Sequence, residues 1–293
     1  MTEVHVSVGA HAPMRGNSLM CHRKYYMQVS RCHWGVEFWS TSSRRLIDCL
    51  TSESASTVQV EVPVIGQLLN RPVKAGQVLV FLFDADSQWL MLILNMVAEM
   101  LRKGTEVLYI STSRQLSVVR DNFRRYGLDT SPFETDERLV LSDAFTFKTG
   151  RQPTEKYYFP SLNIADISLI SSKSLDMWAP GTVRLFENVS EVVEASDEKS
   201  FLKFYRTWIS RFVTKGRIVI DGFVRGIHTD SLYTSVMTNA DGVFELRTEE
   251  FEGEMQNTLR ARAFKGAPVD TSKHILHLAE NLSVNLEPIK KKS

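Results

Sequence analysis

Two carboxylates, Asp84 and Asp86, stand in the short polar run Asp84-Ala85-Asp86-Ser87-Gln88, between the apolar segment Val78 to Phe83 and an apolar stripe that begins at Trp89. A junction from strand to helix exposes the unpaired N–H groups of a helix start, so acids and hydroxyls placed there have two chemical uses. Asp86 or Ser87 can cap the helix, a contribution of about 0.3–1 kcal/mol through the helix dipole. Alternatively, Asp84 and Asp86 can offer oxygen ligands to a hard cation. Two carboxylates without further acidic neighbours favour the cap. Cys21-His22 and Cys32-His33 join thiolate to imidazole, the natural ligands of zinc, but their separation fits none of the usual C-x-x-C or H-x-x-x-H spacings, and no metal is expected. Arg225 and His228 lie in a loop after a strand, at the sheet edge where open α/β folds bind ligands. A lone histidine on a loop reads as exposed, and no catalytic residue is assigned.

The elements that must position these groups follow from periodicity. Short Val/Ile/Leu/Phe runs at Val78 to Phe83, Val107 to Ile110, Leu139 to Leu141, Val183 to Phe186, Arg217 to Ile220 and Val243 to Leu246 have the character of strands buried on both faces. Helical stripes fill the gaps. Trp89, Leu92, Ile93, Met96, Val97 and Met100 form the first, ending at Gly104, and Leu116, Val119, Phe123 and Tyr126 the second, ending at Gly127. A third runs from an N-cap at Asp197 through Phe201, Tyr205, Trp208 and Phe212. Strand and helix in alternation predict an α/β fold with a mostly parallel sheet flanked by helices on both faces.

Hydrophobic residues make up 43% and charged residues 24% of the 293, which excludes collagen, coiled coil and disorder for the body of the chain. The net charge of +1 supplies no global field to draw in nucleic acid or an anionic membrane. The longest apolar stretch, Trp89 to Leu101, is broken by Asn95 and Glu99 and falls short of the roughly 18 residues of a membrane span. The opening residues lack the apolar run of a signal peptide, and a cytoplasmic location is expected. Residues 1–57 hold all three Cys and four of the seven His without sustained periodicity. They read as an N-terminal extension, either a poorly ordered tail or sequence ahead of a true start. The body is expected over 58–289, followed by a basic tail, 290–293.

Ala75-Gly76-Gln77-Val78-Leu79-Val80, Met100-Leu101-Arg102-Lys103-Gly104, Val107-Leu108-Tyr109-Ile110-Ser111 and Ala240-Asp241-Gly242-Val243-Phe244-Glu245-Leu246-Arg247 resemble, in order, segments of the RecA superfamily, most closely its archaeal KaiC/RadA/GvpD-like branch. The resemblance implies a RecA-like P-loop NTPase fold. In that register the phosphate loop falls on Phe83, Asp84, Ala85, Asp86, Ser87, Gln88, Trp89 and Leu90. Phe83 and Gln88 replace its two glycines, Trp89 its lysine and Leu90 its magnesium-holding hydroxyl. Asp84 and Asp86 would face the triphosphate, and one like-charge pair at 4 Å costs about 1 kcal/mol in water and about 4 near a protein surface. Trp89 and Phe83 would then fill the hollow. Where the family carries a catalytic Glu, the chain reads Ser111-Thr112-Ser113-Arg114. The Walker B position falls on Glu187, with Asp221 as the alternative; for Asp221, capping of the following loop is the favoured reading. Leu259 to Gly266 resembles the segment that reaches a neighbouring subunit's nucleotide, so Arg260, Arg262 and Lys265 become candidate interface residues, or else a solvated strand face.

The expectation is a degenerate ATPase without a cofactor, a non-hydrolysing structural or regulatory partner in a homo- or hetero-oligomer. Its neighbour would be itself or a related RecA-family ATPase. The alternative is an ATP-binding protein or ATPase with a non-standard phosphate loop, using ATP and magnesium in archaeal signalling or recombination control. Nucleic-acid binding has little support, because no aromatic residues interleave Arg260, Arg262 and Lys290 to Lys292.

Overall fold

A computed structural model describes residues 58–279 and 283–289; the segments 1–57 and 290–293, with the Cys-His pairs, lie outside the described residues. The strands are β1 (Gln59–Val60), β2 (Val73–Lys74), β3 (Val78–Phe83), β4 (Val107–Ser111), β5 (Leu139–Asp143), β6 (Val183–Phe186), β7 (Ile218–Val224), β8 (Gly242–Phe251), β9 (Glu254–Phe264), β10 (His274–Leu278) and β11 (Val284–Pro288). The helices are α1 (Ile65–Leu69), α2 (Trp89–Arg102), α3 (Leu116–Arg125), α4 (Ser131–Thr135), α5 (Ile164–Ser174), α6 (Ser190–Glu194), α7 (Glu198–Val213) and α8 (Asp230–Asn239). β1 and β2 form a small antiparallel pair. The other nine form one sheet in the order β11-β10-β9-β8-β3-β7-β6-β4-β5.

β3 lies at the centre, parallel to β7 on one side and β8 on the other. Its residues alternate between two cores. Leu79, Phe81 and Phe83 face the layer that holds α2 and α3, while Val78, Val80 and Leu82 face α5, α7 and α8. A six-residue run with no polar position satisfies both faces at once. The helix α2 is covered twice, by the sheet and by the 58–74 segment, which explains why ten of its fourteen residues are buried, Asn95 among them.

The sheet is mostly parallel, as expected, from β5 through β3 to β8. Beyond β8, the pairings of β9, β10 and β11 are antiparallel and make the edge of the sheet mixed. The cause is a two-residue turn at Glu252-Gly253, both with positive φ, the geometry that matches strand twist in a tight hairpin. β8 and β9 therefore run back along each other and extend past the end of β3.

Val64 adopts φ 65° and ψ −50°, and the Ile65 N–H donates to the Pro63 carbonyl oxygen at 2.7 Å. These angles and that bond define a γ-turn with positive φ, a strained form that costs on the order of 1–3 kcal/mol for a β-branched residue.

One ion pair lies wholly inside the second core. Arg184 on β6 donates from Nη2 to both carboxylate oxygens of Asp221 on β7, at 2.6 and 2.7 Å, and Tyr205 Oη donates to Asp221 at 2.9 Å. Arg184 and Asp221 are 1% and 0% exposed, and the guanidinium lies 4.0 Å from the Trp208 ring centroid. Asp221 therefore sits within a strand that continues to Val224, which corrects its expected role as a cap at the strand's end. Burial pushes its carboxyl upward, against the downward pull of Arg184 and Tyr205. Asp221→Ala, which leaves Arg184 buried without its partner, is expected to lower unfolding free energy by about 3–5 kcal/mol in urea titrations. The double variant Arg184→Met, Asp221→Leu should recover most of that loss; a single-variant loss under about 1 kcal/mol would remove this pair from its structural role.

Candidate functional site

The junction of β3 with α2 lies at the carboxyl ends of the parallel strands, and aromatic rings fill it. Trp89, the first residue of α2, is 4% exposed. Its ring stacks on Phe83 at 5.0 Å between centroids and tilts against Phe81 at 5.0 Å. The indole N–H donates to the backbone carbonyl oxygen of Glu187 at 2.8 Å, satisfying the one polar atom that such a side chain must pair when buried. Gly222 on β7 makes the fit possible. A Cβ there would come within 2.5 Å of the Glu187 carbonyl oxygen and 2.7 Å of Trp89 Cζ2.

Asp84 closes the turn. Its carboxylate accepts from Arg225 Nη1 at 3.0 Å and from the Thr248 N–H at 3.1 Å, with Arg247 Nε at 3.7 Å. It thereby joins the end of β3 to the loop after β7 and to β8. Ser87 donates from both its N–H and its hydroxyl to the Asp84 carbonyl oxygen, at 3.0 and 2.6 Å. Ala85 and Asp86 are exposed, and Leu90 is half-buried.

The expected cap is thus corrected. Neither Asp86 nor Ser87 caps α2, whose N-cap is Gln88, with no side-chain cap bond. The Gln88 N–H donates instead to Asn257 Oδ1 on β9 at 2.8 Å. The physical reason is local: Ser87 turns its hydroxyl back onto the Asp84 carbonyl, and the helix begins two residues later. The acceptor comes from a remote strand.

Glu187 follows β6 and is buried. Its carboxylate accepts from Ser111 Oγ and the Thr112 N–H, each at 3.0 Å, from the Ser113 N–H at 3.4 Å and from Ser113 Oγ. The segment Ser111-Thr112-Ser113 thus wraps the carboxylate as a ring of donors. Lys148 stands nearby, donating to the Thr112 carbonyl oxygen at 2.6 Å and paired with Glu191. Burial pulls its ammonium downward, against Glu187 and Glu194. Arg225 is held by Asp84, as above. His228 is half-buried beside Tyr233, its ring centroid 5.8 Å away, which corrects the expectation of a simply exposed histidine.

Arg260 and Arg262 do share one face of β9, and both reach Glu245 on β8. Arg260 Nε donates to Oε2 at 2.7 Å and Arg262 Nη1 to Oε1 at 3.0 Å. Lys265 donates to the Thr238 carbonyl oxygen at 2.7 Å. All three charges are engaged within the chain.

The residues at the β3–α2 turn do not fit a magnesium nucleotide. The turn is packed with indole, the carboxylate of Asp84 would repel an anion placed beside it, Arg225 is paired with that carboxylate, and Arg247 lies between it and Glu249. The lone pairs of Glu187 and Asp221 are taken by protein donors. Among the described residues, no group of three or more His, Cys, Asp or Glu is placed to hold a metal ion, and no helix is long and apolar enough to cross a membrane. No protein-family model matches the chain, and no curated protein matches it.

Sequence reasoning passed over Gly222, Arg247 and Asn257. A glycine inside the apolar run Ile220-Asp221-Gly222-Phe223 was the available signal for close approach of another group. Nothing local marks the other two, because their partners are 163 to 169 residues distant or lie across a strand.

Trp89→Ala is expected to lower unfolding free energy by about 3–5 kcal/mol, combining lost burial with the cavity left behind. Gly222→Ala should cost about 1–3 kcal/mol by overpacking, and Trp89→Leu in the same chain should relieve only the ring's share, as a double-mutant cycle would read. Burial holds the His228 imidazole below its usual 6.5, against Glu198 and Glu194. The neutral ring is favoured by folding, so its contribution is present above 6.5 and declines as pH falls through that value. His228→Gln should flatten this acid limb in urea titrations compared at neutral pH and at about pH 5.

Proposed function

We propose that the chain is a RecA/KaiC-like domain that no longer accepts a nucleotide and acts by contact, as a structural or regulatory member of an oligomer. Its neighbours would be further copies of itself or a related RecA-family ATPase. One observation carries the reading: Trp89 and the Asp84 clasp fill the strand-to-helix turn at which a P-loop protein seats phosphate. A central strand with parallel neighbours on both sides, and a carboxylate closing β6, agree with the motif register. Hydrolysis would need an anion-binding turn, a metal-holding hydroxyl and a general base, and the matching positions carry Trp89, Leu90 and a serine-threonine turn wrapped around Glu187.

Magnesium ATP is expected to leave the melting temperature unchanged. A ligand at 100 times its dissociation constant would stabilise the fold by about 2.7 kcal/mol, so a saturable upward shift would overturn the proposal in favour of an ATP-binding switch. Light scattering on the full chain should give a whole multiple of the chain mass, or a single copy that assembles when the partner ATPase is added.

A further inference from the structure

A cavity of about 520 Å³ lies far along α2 from the Trp89 turn, between the 61–72 segment, the second half of α2 and the start of β11. Its size is that of a small-molecule pocket. Three features of its wall are independent of one another. The strained γ-turn at Val64 lines it, and strain of this kind gathers at ligand clamps. Asn95, 2% exposed, places an amide on the wall from a helix otherwise apolar on its buried faces. Arg71, on the opposite wall, lies with its guanidinium 4.5 Å from the Phe264 ring centroid, and no carboxylate among the described residues pairs with it.

Charge selects the ligand. The two acids on the wall are matched, Glu61 by Lys103 and Glu99 by Arg102. Among the described residues, Arg71 is the wall cation without a carboxylate partner, held over an aromatic ring. Pro63, Pro72 and Val284, all partly exposed, supply apolar surface in the same cavity. We propose that this cavity binds a small organic acid, its carboxylate on Arg71 and its hydrocarbon body against Pro63, Pro72 and Val284. The inference does not depend on the function proposed above, since it concerns a separate wall of the molecule.

Gly66 supplies a clean blocking variant. A Cβ there meets nothing nearer than the Arg71 carbonyl oxygen, 3.8 Å away, so Gly66→Met should project into the cavity without disturbing the fold. The experiment titrates the full chain with naphthylacetate and octanoate, and with their neutral amides, by calorimetry and thermal shift. Saturable binding is expected for at least one carboxylate, about tenfold or more tighter than its amide, the effect of one charge-assisted contact. Arg71→Gln should erase the preference for the acid, and Gly66→Met should abolish binding while melting at or above the parent temperature. Equal affinity for acid and amide, no binding of any probe, or undiminished binding by folded Gly66→Met would overturn the proposal.

Discussion

The indole of Trp89 is the constraint around which the carboxyl edge of the sheet is arranged. Because its N–H must be paired once buried, the backbone oxygen of Glu187 is committed to it. Because the Glu187 carbonyl oxygen and the ring edge both crowd β7, a side chain at position 222 would force one of them to shift. Because the ring stacks on Phe83, the end of β3 and the start of α2 are held at one separation. The strand-to-helix turn is therefore packed protein.

Charge follows the same pattern of internal closure. Asp84 is held by Arg225, Asp221 by Arg184 and Glu245 by Arg260 and Arg262. Arginine, with its planar fork, is the side chain suited to such pairs. In each case a carboxylate of the chain meets the charge of an arginine of the same chain. The partly exposed pairs add little to stability individually. Their consequence is chemical, because the arginines Arg225, Arg260 and Arg262 are engaged within the chain. Arg71, over Phe264 and without a carboxylate partner among the described residues, departs from the pattern.

Much of the fold was legible because it is written in local periodicity. The six apolar runs are strands, and the stripes beginning at Trp89, Leu116 and Asp197 are helices, the last with the expected cap, Asp197 Oδ1 accepting from the Ser200 N–H. Where the reading departed from the structure, distant residues decided the outcome. The cap of α2 went to Asn257 rather than Asp86 or Ser87, and Asp221 found Arg184 and Tyr205 rather than the next loop. Strand character was legible at Val243 to Leu246 and Leu259 to Gly266, but the antiparallel return was not, because the turn at Glu252-Gly253 holds only one glycine and the partners of β9 and β10 come from elsewhere in the sequence. Residue types at the candidate site could be read from order along the chain; their partners could not.

The central position of β3 has a consequence for how the molecule is made. This strand is synthesised early, yet both of its neighbours, β7 and β8, come much later, and the start of α2 waits for an acceptor 169 residues downstream. An apolar strand with two open edges must persist until most of the chain has emerged from the ribosome. Long-range pairing of this kind slows folding and leaves the nascent chain open to aggregation in the interval. Late, non-local closure of the sheet, rather than rapid local assembly, is the regime this topology selects.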